Sequence, residues 1–138
     1  MLLDTHVWIW AAADAPKTLG PKARRALARQ AALGRVAVSA ASAFEIAALF
    51  TAGRLKLNQP ADRWIRESIE RGALRVIDVT TAIASDAGAI PASQLADPLD
   101  RLLVATARDR DLPLVTCDRA VLDYAARTRM VRVVDGRR

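Results

Sequence analysis

Five acids in this chain are spaced as though to meet. Asp97 and Asp100 stand three residues apart, directly before an apolar run through Leu102, Leu103, Val104, Ala105 and Ala107. That run leaves little polar face, so its helix is expected to be mostly buried. Asp97 has the form of an N-cap, Pro98 of the first helical residue, and Asp100 falls where an acid suits the helix dipole. Capping explains one of these acids better than two. The apolar strand Leu114-Val115-Thr116-Cys117 then ends on Asp118, Met1-Leu2-Leu3 ends on Asp4, and Glu45 lies in the first turns after the strand Val36-Ala37-Val38-Ser39.

Clustered carboxylates raise one another's pKa unless something neutralises them, and the nearest cations in the sequence are Arg101 and Arg119. A hard divalent ion held by carboxylate oxygens, Mg²⁺ or Mn²⁺, is the economical partner. Zinc would want nitrogen or sulfur ligands, and the chain has one histidine, His6, and one cysteine, Cys117. No activating base stands beside Cys117 in the sequence, so it reads as a buried thiol. Carboxylate-held Mg²⁺ beside a basic surface suits phosphodiester hydrolysis. A glycine-rich phosphate loop and a Gly-x-Ser-x-Gly elbow are both missing, which argues against a nucleoside triphosphate enzyme and a serine hydrolase. An acid-cluster switch of the receiver type would want a strand-end lysine, which this sequence lacks.

The elements that must position these acids alternate between strand and helix, which argues a parallel α/β sheet of about four or five strands. In such sheets ligand-binding groups gather at the carboxyl ends of the strands, so Asp4, Glu45, Asp97, Asp100 and Asp118 should converge on one edge. Residues 16–35 predict a helix, with Pro21 at its start and Gly34 beyond its end. It carries Lys17, Lys22, Arg24, Arg25, Arg29 and Arg35 and no acid. A face without counter-charges suits phosphates, and Lys22, Arg24, Arg25 and Arg29 are the expected nucleic-acid contacts; the alternative is a solvated surface. Residues 41–52 form the next helix, closed by Gly53, where Ser42-x-x-Glu45 fits a capping box and offers Glu45 a purely local role. An amphipathic helix over 61–71 ends at Gly72, and a strand over 74–79 leads to a short helix capped by Thr80 or Thr81. A last helix covers 119–129 and a last strand 131–135, and the tail Gly136-Arg137-Arg138 is expected to fray. Trp8, Trp10 and Trp64 are expected in the core or a groove.

With 138 residues, 52% of them apolar and 4% aromatic, the chain is expected to be one domain over residues 1–138 with an aliphatic core. The net charge of +6 favours a polyanionic partner. One cysteine makes no internal disulfide, no leader-like segment is evident, and the run 7–13 is too short to span a bilayer. A soluble cytoplasmic protein with no membrane partner is expected.

Leu3-Asp4-Thr5-His6-Val7-Trp8, Ala43-Phe44-Glu45-Ile46-Ala47, Asp97-Pro98-Leu99-Asp100-Arg101-Leu102-Leu103-Val104-Ala105 and Leu114-Val115-Thr116-Cys117-Asp118 resemble, in order and spacing, the PIN-domain family. More narrowly they resemble VapC-type toxins of toxin–antitoxin modules. Each motif is weak alone; the four in sequence are specific, and the likeness covers nearly the whole chain. The resemblance implies a three-layer α/β/α sandwich and an endoribonuclease that uses Mg²⁺ or Mn²⁺ and is blocked by a VapB-type antitoxin. Its four acids match Asp4, Glu45, Asp100 and Asp118. Asp97 is an extra acid, and His6 and Thr116 fall where the family often has polar residues near the acids. The antitoxin segment would pack along apolar grooves near the first helices and insert a basic side chain among the acids. A homodimer is expected. The competing reading is a non-catalytic module of the same fold that binds RNA or protein.

Overall fold

The computed structural model describes residues 1–13 and 18–138. Five strands, β1 (Leu2–Leu3), β2 (Ala37–Ser39), β3 (Arg75–Ile77), β4 (Leu114–Thr116) and β5 (Val133–Asp135), form one parallel sheet in the order β3-β2-β1-β4-β5. The chain winds outward from β1 to β3 and then returns to the other side of β1 for β4. The order therefore reverses beside β1, at the point where ligands of open α/β sheets sit.

Alternation along the strands divides the core in two, since successive side chains face opposite sides of a sheet. Leu2, Ala37, Ile77 and Leu114 pack with Ile83 and Ala87 of α5 (Thr81–Ala89), Leu103, Val104 and Ala107 of α6 (Pro98–Asp109), and Val121 and Tyr124 of α7 (Arg119–Thr128). Leu3, Val38 and Val115 pack on the other side with Val7 and Trp8 of α1 (Thr5–Ala12), Leu27 of α2 (Pro21–Ala32), Ile46 of α3 (Ala40–Thr51) and Trp64 of α4 (Ala61–Gly72). This is a three-layer α/β/α sandwich. Leu2 and Leu3 are almost fully buried, each contributing about 1.5–3 kcal/mol. That burial, with strands on both sides, fixes a two-residue β1.

Several local expectations change. The basic helix starts at Pro21 rather than earlier, with Gly20 at its N-cap; Pro16 and Lys17 lie outside the described residues. The tail is pinned, not frayed. Gly136 N–H donates to Thr116 O at 2.8 Å, Gly20 N–H to Gly136 O at 2.8 Å, and Ala23 N–H to Arg138 O at 2.8 Å. A Cβ on Gly20 would strike the backbone of Arg138, which is why the close approach needs glycine there. Helix α4 includes Gly72, and the left-handed cap falls instead on Ala73 (φ 46°, ψ 42°). The expected capping box also dissolves. Ser39, at the end of β2, caps α3 by accepting from Ala41 N–H, and Ser42 lies inside the helix.

Candidate functional site

Asp4 is the first residue beyond β1, and the register Leu3↔Val115 sets it opposite Thr116 of β4. It occupies the N-cap position of α1 yet makes no side-chain cap hydrogen bond. Its buried carboxylate instead accepts from the Thr116 hydroxyl at 2.5 Å, and the same hydroxyl accepts from Asp118 N–H at 3.0 Å. Thr116 thus ties the acid ending β1 to the backbone of the acid after β4. Burial raises the pKa of Asp4 despite that hydrogen bond and the nearby His6, and the charge of Asp118 raises it further. His6 itself is exposed, its ring 5.9 Å from that of Trp10.

Asp100 lies in the first turn of α6, half-buried. Burial, and then the charges of Asp97, Asp118, Asp4 and Glu45, push its carboxyl up to about 8. Each of these influences raises it and none is a cation. Arg101, the adjacent cation, donates to Ile90 O at 3.5 Å, and its Nε is buried without a partner. The other four acids named from the sequence therefore all bear on Asp100. Two are also engaged as caps. Asp97 Oδ1 accepts from Leu99 N–H at 2.8 Å, and Asp118 Oδ1 accepts from Val121 N–H at 3.2 Å. Among the described residues no group of three or more acids, histidines or cysteines stands ready-made around a metal position. The donor set is nevertheless one that a hard cation fits: oxygen ligands only, from carboxylates that destabilise one another's ionised forms.

Two residues missed in the sequence join the site. Thr5 is fully buried, its hydroxyl 2.5 Å from Glu45 Oε2 and 2.9 Å from the buried Ser42 hydroxyl. Thr5 could have been flagged as the neighbour of Asp4, but Ser42 was disguised as a cap. Lys22, Arg24, Arg25 and Arg29 are all exposed on α2; Lys22, Arg25 and Arg29 share a shallow depression. They are absent from the leading charges acting on Asp4 and Asp100.

The aromatic residues divide. Trp8 and Trp64 are buried with ring centroids 6.1 Å apart, Trp10 and Phe50 are half-buried, and Phe44 is exposed. A groove of about 680 Å³ runs between α1, α2, α4 and the connector that precedes α4, lined by Trp8, Ile9, Leu57, Trp64 and Leu74 with Lys56 and Arg71 among its polar residues. Cys117 is half-buried beside Gly136, and burial pushes its thiol up, away from the reactive thiolate. Among the described residues no helix is long and apolar enough to cross a membrane.

Residues 1–127 match the PIN domain. The chain belongs to the PIN-domain family. Ribonuclease VapC22 from Mycobacterium tuberculosis is 38% identical over 124 residues, covering 90% of this chain and 91% of its own length, which makes the chain a PIN domain of the VapC type. The fold is shared with VapBC2 from Rickettsia felis, solved bound to a DNA fragment from their promoter (TM-score 0.65, 16% identity, 96% of both chains). It is also shared with DNA-bound VapBC from Salmonella typhimurium (TM-score 0.64, 20% identity, 96% of this chain and 95% of the other).

Proposed function

We propose that this PIN domain is a metal-dependent endoribonuclease, the toxin of a toxin–antitoxin pair. The observation that carries the reading is the crowding of Asp100 by the charges of Asp97, Asp118, Asp4 and Glu45, with no cation among the leading influences on it, in a sheet whose strand order reverses beside β1. In this reading Asp4, Asp100 and Asp118 hold Mg²⁺ or Mn²⁺, with Glu45 contacting the ion directly or through water. When bound, such an ion supplies Lewis acidity toward the phosphodiester and a lowered pKa for the attacking water. The protein's own part is placement. Thr116 holds Asp4 in line with the turn carrying Asp118, Asp97 fastens the start of the helix bearing Asp100, and the cations of α2 bind RNA phosphates outside the acid set.

The partner in this reading is a VapB-type antitoxin, whose apolar segment lies in the groove bordered by Trp8, Ile9, Leu57, Trp64 and Leu74. A basic side chain of that segment would answer the acids. The protein assembles as a homodimer and works in the cytoplasm. The deciding experiment is RNA cleavage by the purified protein with Mn²⁺ or Mg²⁺, with EDTA, and with the metal restored. Cleavage that EDTA stops and metal restores supports the proposal. Cleavage indifferent to EDTA removes the metal, and RNA binding without cleavage leaves a binding module.

A further inference from the structure

Ser42 and Glu45 are three residues apart on one face of α3. The local pattern offers them a capping box, but Ser39 already caps this helix. The Ser42 and Glu45 side chains both meet Thr5, which lies 37 and 40 residues away and directly follows Asp4.

The hydroxyl of Thr5 has one proton and two neighbours, Ser42 Oγ at 2.9 Å and Glu45 Oε2 at 2.5 Å. An ionised carboxylate only accepts, so the Thr5 proton goes to Glu45 and Ser42 donates to Thr5. Thr5 and Ser42 are 0% and 1% exposed, which keeps water from competing for either hydroxyl. A hydrogen bond onto a charged acceptor is the stronger kind, and a chain of donors polarises in one direction. Glu45 is half-buried and carries a long flexible side chain, yet its charge bears on Asp100. Something must hold it on the acid side of α3.

We infer that Ser42 and Thr5 form a directional hydroxyl relay that positions the Glu45 carboxylate against the acid set. Thr5 is a positioning residue in this scheme, acting through Glu45. Because it follows Asp4 in the chain, the start of α1 places one acid covalently and a second through its hydroxyl. The inference rests on the proposed metal-dependent cleavage for its catalytic consequence, while the relay itself is a property of the folded protein.

The test is a double-mutant cycle between Thr5→Val, which keeps the branched shape and deletes the hydroxyl, and Glu45→Ala, which deletes the acceptor. It is read in Mn²⁺-activated RNA cleavage, in Mn²⁺ affinity by calorimetry, and in the unfolding midpoint of chelator-treated protein. T5V should lower kcat and Mn²⁺ affinity by roughly 10- to 100-fold, the usual loss when a group orienting a ligand is removed, with KM for RNA little changed. Thr5→Ser should restore kcat to within a few-fold of wild type. In the E45A background T5V should cost almost nothing more, and the two unfolding shifts should likewise fall short of additivity. If T5V fails to fold, Ser42→Ala carries the same cycle, with a smaller loss that also vanishes beside E45A. Additive effects in all three readouts, or a T5V protein with wild-type kcat and Mn²⁺ affinity, overturn the relay. Failure of the functional reading is separate: wild-type protein would cleave no RNA with metal, while the unfolding cycle would still report the coupling.

Discussion

Replacing Asp100 with asparagine should free the chelator-treated protein from a pH-dependent burden. In the folded chain the Asp100 carboxyl is held at about 8, against an ordinary value of 3.8, by burial and by four neighbouring acids. A raised acid pKa means that the folded state binds the proton more tightly than the unfolded state. Stability is therefore greatest below the unfolded value and falls as pH rises from about 4 toward 8, above which it levels off. The full conversion is about 1.4 kcal/mol per pH unit. Solvent reaches part of this side chain, and screening shortens the pH span over which that slope holds, not the slope itself, which proton binding fixes. Asparagine has no proton to lose, so D100N should gain on wild type steadily across that window. Urea unfolding of both proteins with EDTA at half-unit pH steps measures it. Adding Mn²⁺ should then raise wild-type stability and leave D100N nearly unmoved, and D100N should be inactive in RNA cleavage. Parallel pH profiles for the two proteins would refute the reasoning, because they would mean that Asp100 is not crowded by the other acids.

The second acid of that segment should behave oppositely: Asp97→Ala removes the 2.8 Å cap on Leu99 N–H. It should lower stability by about 0.5–2 kcal/mol in denaturant titrations while keeping measurable Mg²⁺-dependent cleavage; an inactive, fully stable D97A would exchange the roles of ligand and cap. Ala73→Gly should stabilise the protein by about 1 kcal/mol, since alanine carries a left-handed conformation there that glycine adopts freely; a lower unfolding midpoint would count against it. Neutralising Arg25 and Arg29 together should flatten the dependence of log RNA affinity on log salt by about 1.4, and an unchanged slope would show that this face of α2 is only solvated.

Much of this arrangement was legible in the chain because it is local. Alternating apolar strands and amphipathic helices gave a parallel sheet, and each strand-end acid then pointed to the carboxyl edge; the charges of Asp4, Glu45, Asp97 and Asp118 all act on Asp100. Asp97 as the cap of α6 followed from Asp-Pro spacing alone. Local patterns misled where two hydrogen-bonding solutions had the same sequence signature. Ser42-x-x-Glu45 reads as a capping box, and only the packing of α1 on α3 offers Ser42 and Glu45 the better acceptor and donor in Thr5. Asp118 serves locally and at a distance at once: its backbone N–H meets Thr116, its carboxylate caps α7, and its charge still reaches Asp4 and Asp100. The pinned tail depended on Gly20 meeting Arg138 across the molecule. Periodicity and capping are written within a few residues and survive without the fold, whereas a buried hydroxyl chooses its partner from whatever the tertiary structure brings within about 3 Å. Thr116 and Asp4 are 112 residues apart, and only the pairing of β1 with β4 could join them.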